Sequence, residues 1–239
     1  VKMLFEDFIQ KIENELEIVV SSTMRQQFFT YKNEIQRVNQ FLNLTAIDDD
    51  AGIYAKHFWD SLLISPMIER NMRLCDVGSG AGFPGIVLAI ARPDLEVVCV
   101  EPTGKRANFL KDVAKACELE NVYVINDRAE HLLEERESFD VVTARAVSHM
   151  DMLSELCLPL VKIGGYFMPM KGAKGMEEYR ISEKAIKKLG GKLVDVSHEQ
   201  DELLGSRFNF KIEKFRPTPK KYPRAYAKIK KTPLSGRKL

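Results

Sequence analysis

Cysteine is scarce in this 239-residue chain: Cys75, Cys99, Cys117 and Cys157 are its only four, and they stand far apart. None has the close spacing of a zinc or redox pair, so a thiolate metal site is not expected and a reducing compartment is. Long apolar runs are missing as well. No segment approaches the roughly 20 residues of a membrane helix, and the first residues lack the apolar core of a secretory signal. A soluble, cytoplasmic, monomeric protein is the expectation. Internal repeats are absent. Acidic residues are absent from residues 216 to 239, which carry nine Lys or Arg. The rest of the chain then holds 27 bases against 34 acids, a net −7 beside a tail of +9. Such a tail suits a polyanion, with a solvated terminus as the alternative. Tyr222 and Tyr226 interleave with its bases, and Pro217, Pro219, Pro223 and Pro233 are expected to hold it extended, which favours RNA.

What is present is enough apolar residue, 45% of the chain, for a packed core. Residues 2 to 20, 22 to 42 and 53 to 64 read as helices, the second with Met24, Phe28, Tyr31, Ile35 and Val38 on one stripe. From Arg73 strands and helices alternate: strands over 73–78, 96–101, 121–125, 139–144 and 164–170, with helices starting near Gly82, Gly104, Ala129, Ser148 and Met176. Two further β-like runs, 192–197 and 207–214, close the pattern as a hairpin. The expected organisation is a helical cap over 1–70, a mostly parallel α/β core over 71–215 and a basic tail over 216–239.

The densest signal is Asp76-Val77-Gly78-Ser79-Gly80-Ala81-Gly82-Phe83-Pro84-Gly85, followed by Glu101 at the end of the next strand. Alternating glycines let a strand turn sharply into a helix and bring backbone amides against a ligand. Within it Gly80 to Gly85 fits the dinucleotide pattern G-x-G-x-x-G, with Glu101 at the distance of a ribose-binding acid. A pyrophosphate, however, would be repelled by Asp76 in the loop that cradles it. An acid there suits a ligand bearing an ammonium group and no phosphate, and S-adenosyl-L-methionine is such a ligand. The run resembles the signature of class I methyltransferases, a Rossmann-like fold with a seven-stranded sheet; a dinucleotide oxidoreductase is the alternative.

In such a sheet the ligand lies beyond the carboxyl ends of the strands. The loops there supply Asp127, Arg128 and Glu130, then Arg145, then Lys171, so three cations converge where a methyl group is offered. The loop Thr143-Ala144-Arg145-Ala146 lacks the Asn/Asp-Pro-Pro-aromatic motif of exocyclic-amine methylation. Cys157-Leu158-Pro159 belongs to an expected helix, so a cysteine nucleophile is unsupported. A nucleophile needing neither device, such as guanine N7 with its free lone pair, is allowed by these absences, though not required by them.

Asn39 to Thr45, His57-Phe58-Trp59-Asp60-Ser61, the glycine run, Asp127-Arg128-Ala129-Glu130 and Thr143 to Ala146 occur in an order that resembles the small-subunit rRNA guanine-N7 methyltransferase family known as RsmG or GidB. Thr218 to Arg224 is similar to members of that family too; Glu101-Pro102 departs from their usual Asp-Ser but keeps the carboxylate. The resemblance implies methylation of a guanosine in the 530 loop of 16S rRNA, as naked RNA or in the small ribosomal subunit. Carried over by motif, Gly78, Phe83, Ala129, Glu130 and Arg145 would bind the cofactor, joined on our reading by Gly80, by Asp76 at the ammonium and by Glu101 at the ribose. Asn43, Arg128 and Arg145 would act at the reaction centre, and His57, Ser61, Lys171, Lys220, Lys221 and Arg224 would hold RNA. No metal role is expected.

Each assignment has a structural competitor. Asn43 could close a helix. His57 and Asp60 could pair with one another, Arg128 with Glu130 or Glu134, and Lys171 could be an ordinary strand-end lysine. His131, His149 and His198 carry no motif. An RNA-binding assembly protein with the same body, or a small-molecule methyltransferase, stays open at this point.

Overall fold

The computed structural model describes residues 2–237, so Lys238 of the basic tail lies outside the described residues. Seven strands form one sheet: β1 (Arg73–Val77), β2 (Glu96–Val100), β3 (Val122–Ile125), β4 (Phe139–Arg145), β5 (Val161–Lys171), β6 (Gly191–Asp201) and β7 (Gly205–Lys214). Their order is β3-β2-β1-β4-β5-β7-β6. The first five run parallel, and β7 enters antiparallel between β5 and β6. This is the expected mostly parallel α/β sheet with its closing hairpin.

Strand alternation divides the interior in two. Leu74, Val97, Cys99, Val141 and Met168 face one cluster; Cys75, Val77, Val98, Val100, Val142 and Phe167 face the other. Both faces are buried, which is why the parallel strands read as unbroken apolar runs. The first cluster also takes in the N-terminal helices. Phe8 on α1 (Phe5–Leu16), Phe28 and Tyr31 on α2 (Ser22–Leu42) and Phe58 form an aromatic group with centroid separations of 5.0–5.8 Å. The cap therefore shares one continuous core with the sheet. The third helix is a composite, with a π-helical stretch Ile53–Trp59 between the short turns Asp50–Gly52 and Asp60–Leu62.

Three expectations need correction. The first helix stops at Leu16, because Glu17 takes a left-handed φ of 55° and ends it. No α-helix follows β3: only the 3-10 turn Ala129–His131 forms. There Asp127 Oδ1 accepts from both the Arg128 amide and His131 Nδ1, a local side-chain bond that competes with helix formation.

The tail is not an extended arm. Arg136 donates to the carbonyls of Thr218 and Tyr222, Tyr222 and Ile229 are buried, and residues Tyr226–Lys231 form a helix against the second cluster.

Phe58→Ala is expected to cost about 3–5 kcal/mol, the usual range for a truncated core aromatic. Because cap and sheet share that core, urea unfolding followed at Trp59 and by far-UV circular dichroism should remain one coincident transition. Separate transitions would mean that the cap folds independently.

Candidate functional site

The strand order reverses between β1 and β4, and the loops beyond their carboxyl ends frame two adjoining clefts. Val147 lines both, and the glycine loop borders the smaller one through Gly78. Gly78 and Gly80 hold φ of +73° and +58°, and a Cβ on Gly78 would lie 2.7 Å from Val147, so only glycine fits there. Gly82, at φ +102°, would place a Cβ 2.5 Å from the Tyr31 hydroxyl. That hydroxyl donates to the Ala81 carbonyl at 2.7 Å and pins the loop to the cap.

Asp76 is fully buried beneath this loop. Its Oδ2 accepts from the Gly85 amide at 3.0 Å, while Oδ1 has no hydrogen-bond partner. Burial raises its carboxyl to about 6 against the lowering pull of the Gly85 amide. A buried acceptor left open invites a cationic or water donor from the ligand side. Glu101 is buried at the end of β2, accepting from the Gly80 amide at 2.9 Å and the Thr103 amide at 2.8 Å. These bonds orient it beside the loop and leave further lone pairs for a ribose hydroxyl.

The first cleft, about 170 Å³, runs from Gly78 past Pro102 to Ala129 and Glu130. Arg128 is paired with Glu130 at 2.5 Å, as its competing reading had it, and its guanidinium lies 4.4 Å from the ring centre of Tyr226.

The second cleft, about 600 Å³, lies beyond β4 and β5, and Lys56, Arg145, Lys171 and Arg207 stand on its walls with Asp60 and Glu178. Arg145 donates to Asp60 Oδ2 at 2.6 Å and to the Lys56 carbonyl at 3.1 Å, and lies over the Phe83 ring at 5.0 Å. Arg207 donates to the other Asp60 oxygen at 2.8 Å. Asp60 therefore serves two arginines instead of pairing with His57. The His57 ring stacks on Phe83 at 4.3 Å, bonds Thr45 through Nε2 and faces Arg145 through Nδ1. Burial and the Arg145 charge depress it to about 4, so it is neutral near pH 7. Lys171 pairs with Glu178 at 2.8 Å and donates to the Ser148 carbonyl.

Several expected residues are placed differently. Ser61 is fully buried and donates to the His57 carbonyl within its own helix, so it offers nothing to RNA. His57 is a buried wall of the cleft and not an outward RNA contact. Arg224 is held by both oxygens of Glu155, whose side chain is wholly buried, and so is a structural tie. Phe83 lines neither cleft; its ring packs on His57, Tyr31 and Phe58. Asn43 is exposed and closes α2 in the left-handed conformation, φ 48°. Two residues on, Thr45 bonds His57 Nε2, which ties the segment carrying Asn43 to the His57–Phe83–Arg145 stack. Lys220 and Lys221 are exposed. Sequence reasoning missed Lys56, Arg207 and Glu178 because each lies on an element read only for its periodicity.

Comparison with known proteins agrees with this architecture. The family model for rRNA small subunit methyltransferase G (GidB) matches residues 24–205. The ribosomal RNA small subunit methyltransferase G of Staphylococcus saprophyticus is 45% identical over 222 residues, covering 91% of this chain and 93% of that protein. Its Staphylococcus aureus counterpart is 46% identical over 225 residues, 92% and 94% of the two chains. Among solved structures, a SAM-dependent methyltransferase from Aquifex aeolicus aligns at TM-score 0.56 and 16% identity, covering 72% of this chain and 97% of that one. M. jannaschii TYW2 in complex with AdoMet aligns at TM-score 0.54 and 21% identity, over 71% and 79%. The chain belongs to the rRNA small subunit methyltransferase G family, and it is an S-adenosylmethionine-dependent enzyme of Rossmann-like fold. The dinucleotide alternative is thereby set aside. Among the described residues no helix is long and apolar enough to cross a membrane.

The buried Asp76 carboxyl makes a pH signature. With a folded value of about 6 above the ordinary 3.8, its contribution to stability is complete below pH 3.8 and lost as pH rises through about 6. His57, depressed to about 4, acts oppositely, its contribution being lost as pH falls from 6.5 through 4. Comparing Asp76→Asn with the parent isolates the first effect. In urea titrations the variant should gain on the parent by up to about 3 kcal/mol between pH 4 and 7. A pH-independent difference would place the Asp76 proton elsewhere.

Proposed function

We propose that this chain, as a member of that family, transfers a methyl group from S-adenosylmethionine to N7 of a guanosine in the 530 loop of 16S rRNA, acting in the cytoplasm as a monomer. The observation that carries the reading is that the acidic side chains and histidines lining the larger cleft are already paired. Asp60 accepts from two arginines, Glu178 from Lys171 and the Met150 amide, and His149 bonds Asp151. His57 is neutral with both ring nitrogens in contact. Both carboxylates are tied to cations, and N7 of guanine, whose lone pair is available at neutral pH, needs no base at all.

The cofactor, when bound, supplies an electrophilic methyl group on a sulfonium. Asp76 supports its ammonium from Oδ1, directly or through a water, Glu101 meets the ribose hydroxyls, and the Gly78 backbone permits close approach. Lys56, Arg207 and the partly buried Arg145 attract the RNA backbone, with Lys220 and Lys221 extending the basic surface. Asn43 and Arg128 orient the target nucleotide. Catalysis is then positioning and in-line approach, the lone pair forming the new N–C bond as the C–S bond breaks.

The test is transfer of labelled methyl to small ribosomal subunits lacking the modification, followed by aniline cleavage. Cleavage at one guanosine of the 530 loop is expected; incorporation elsewhere or at another atom would overturn the assignment. Asn43→Ala should lower kcat/KM for RNA by 10-fold or more with calorimetric cofactor affinity unchanged. Lost cofactor affinity would move Asn43 to the cofactor site.

A further inference from the structure

The basic tail contributes a side chain to the smaller cleft. Tyr226, the first residue of the helix Tyr226–Lys231, lines it together with Gly78 and Ala129, with the Arg128 guanidinium 4.4 Å from its ring centre. It does not reach there by loose contact. On one side Arg224 is gripped by the buried Glu155, with contacts of 2.7 Å from Nε, 2.6 Å from a terminal nitrogen and 3.0 Å from its own amide. On the other, Ser235 and Arg237 both donate to the buried Asp151, at 2.5 Å and 3.2 Å. Glu155 and Asp151 lie on the same helix, Met150–Cys157, and Ile229 between the tethers is fully buried. The remaining bases of the short helix, Lys228, Lys230 and Lys231, are exposed.

The cleft that Tyr226 lines begins at the glycine loop and passes the end of β2, where Glu101 sits, to the 3-10 turn after β3. A nucleoside whose ribose meets Glu101 has its base on the β3 side, between Ala129 and the tail. We propose that Tyr226 is a cofactor-binding residue, its ring forming the tail-side wall against which the adenine of S-adenosylmethionine packs. This rests on the methyltransferase reading, and it turns Tyr226 from RNA stacking toward the cofactor. The tail then has two working faces. Its inner face completes the adenine site, and its outer lysines face solvent beside it.

Calorimetry on the full-length protein tests the wall directly. Tyr226→Ala should weaken S-adenosylmethionine and S-adenosylhomocysteine alike, by about 10-fold, the scale of a lost aromatic contact. The two ligands share the adenosine, so a loss confined to one would overturn the assignment. Tyr226→Phe should bind as the parent does. Unchanged affinity in a Tyr226→Ala variant that melts like the parent would also overturn it, as would lost affinity for an rRNA fragment with cofactor binding intact, which would return the ring to the RNA surface. If truncation disturbs folding, Tyr226→Trp keeps the question open to measurement. Its added indole emission should change saturably on titration with S-adenosylhomocysteine, and an unchanged spectrum in a variant that binds the ligand calorimetrically would refute the contact. If the parent protein binds neither ligand, the methyltransferase reading itself fails first and this inference with it.

Discussion

The site depends on one buried carboxylate. Asp60, almost without solvent exposure, accepts Arg145 from the end of β4 and Arg207 from β7, so a single side chain on the cap helix fastens two strands that are not neighbours in the sheet. Removing one partner of such an arrangement costs about 3–5 kcal/mol, because the remaining charges stay desolvated. The consequence runs outward by contact. Arg145 lies over Phe83, Phe83 stacks on His57, and His57 holds Thr45, so the glycine loop, the cap and the segment carrying Asn43 share one geometry. Arg145 thus has a structural partner as well as a place in the cleft.

Two local irregularities serve that arrangement. The helix carrying Lys56, His57 and Asp60 widens to π geometry over Ile53–Trp59, a distortion common at functional positions. Immediately after Arg145, Ala146 holds a left-handed φ of 56°, a conformation that costs a residue with a Cβ roughly 1 kcal/mol. Both lie on the walls of the larger cleft, where the backbone is bent to aim side chains inward.

The charge division between body and tail acquires a second meaning from the fold. Part of it is internal: Glu155 and Asp151 of the body are buried and neutralised by Arg224 and Arg237 of the tail. Lys214, wholly buried and pressed down to about 8 by desolvation, is matched in the same way by Glu137, which also accepts the Thr218 amide. Among the described residues, what remains for a polyanion is the exposed set, Arg216, Lys220, Lys221, Lys228, Lys230 and Lys231.

The alternation of apolar segments, the glycine run and Glu101 determined the parallel sheet and the kind of ligand, because side-chain period and backbone freedom are local properties written along the chain. The ordered motifs from Asn39 to Arg145 determined the family for the same reason. Which charges are free and which are already paired was decided by the tertiary structure alone. Arg224 and Lys220 look alike in sequence, yet only the first meets a buried carboxylate brought from residue 155. Ser61 sits in a promising motif but lies on the inner side of its helix, and Tyr226 reads as part of a basic arm until packing turns it into the cleft. Pairing and burial depend on contacts between residues far apart in the chain, and no local pattern carries them.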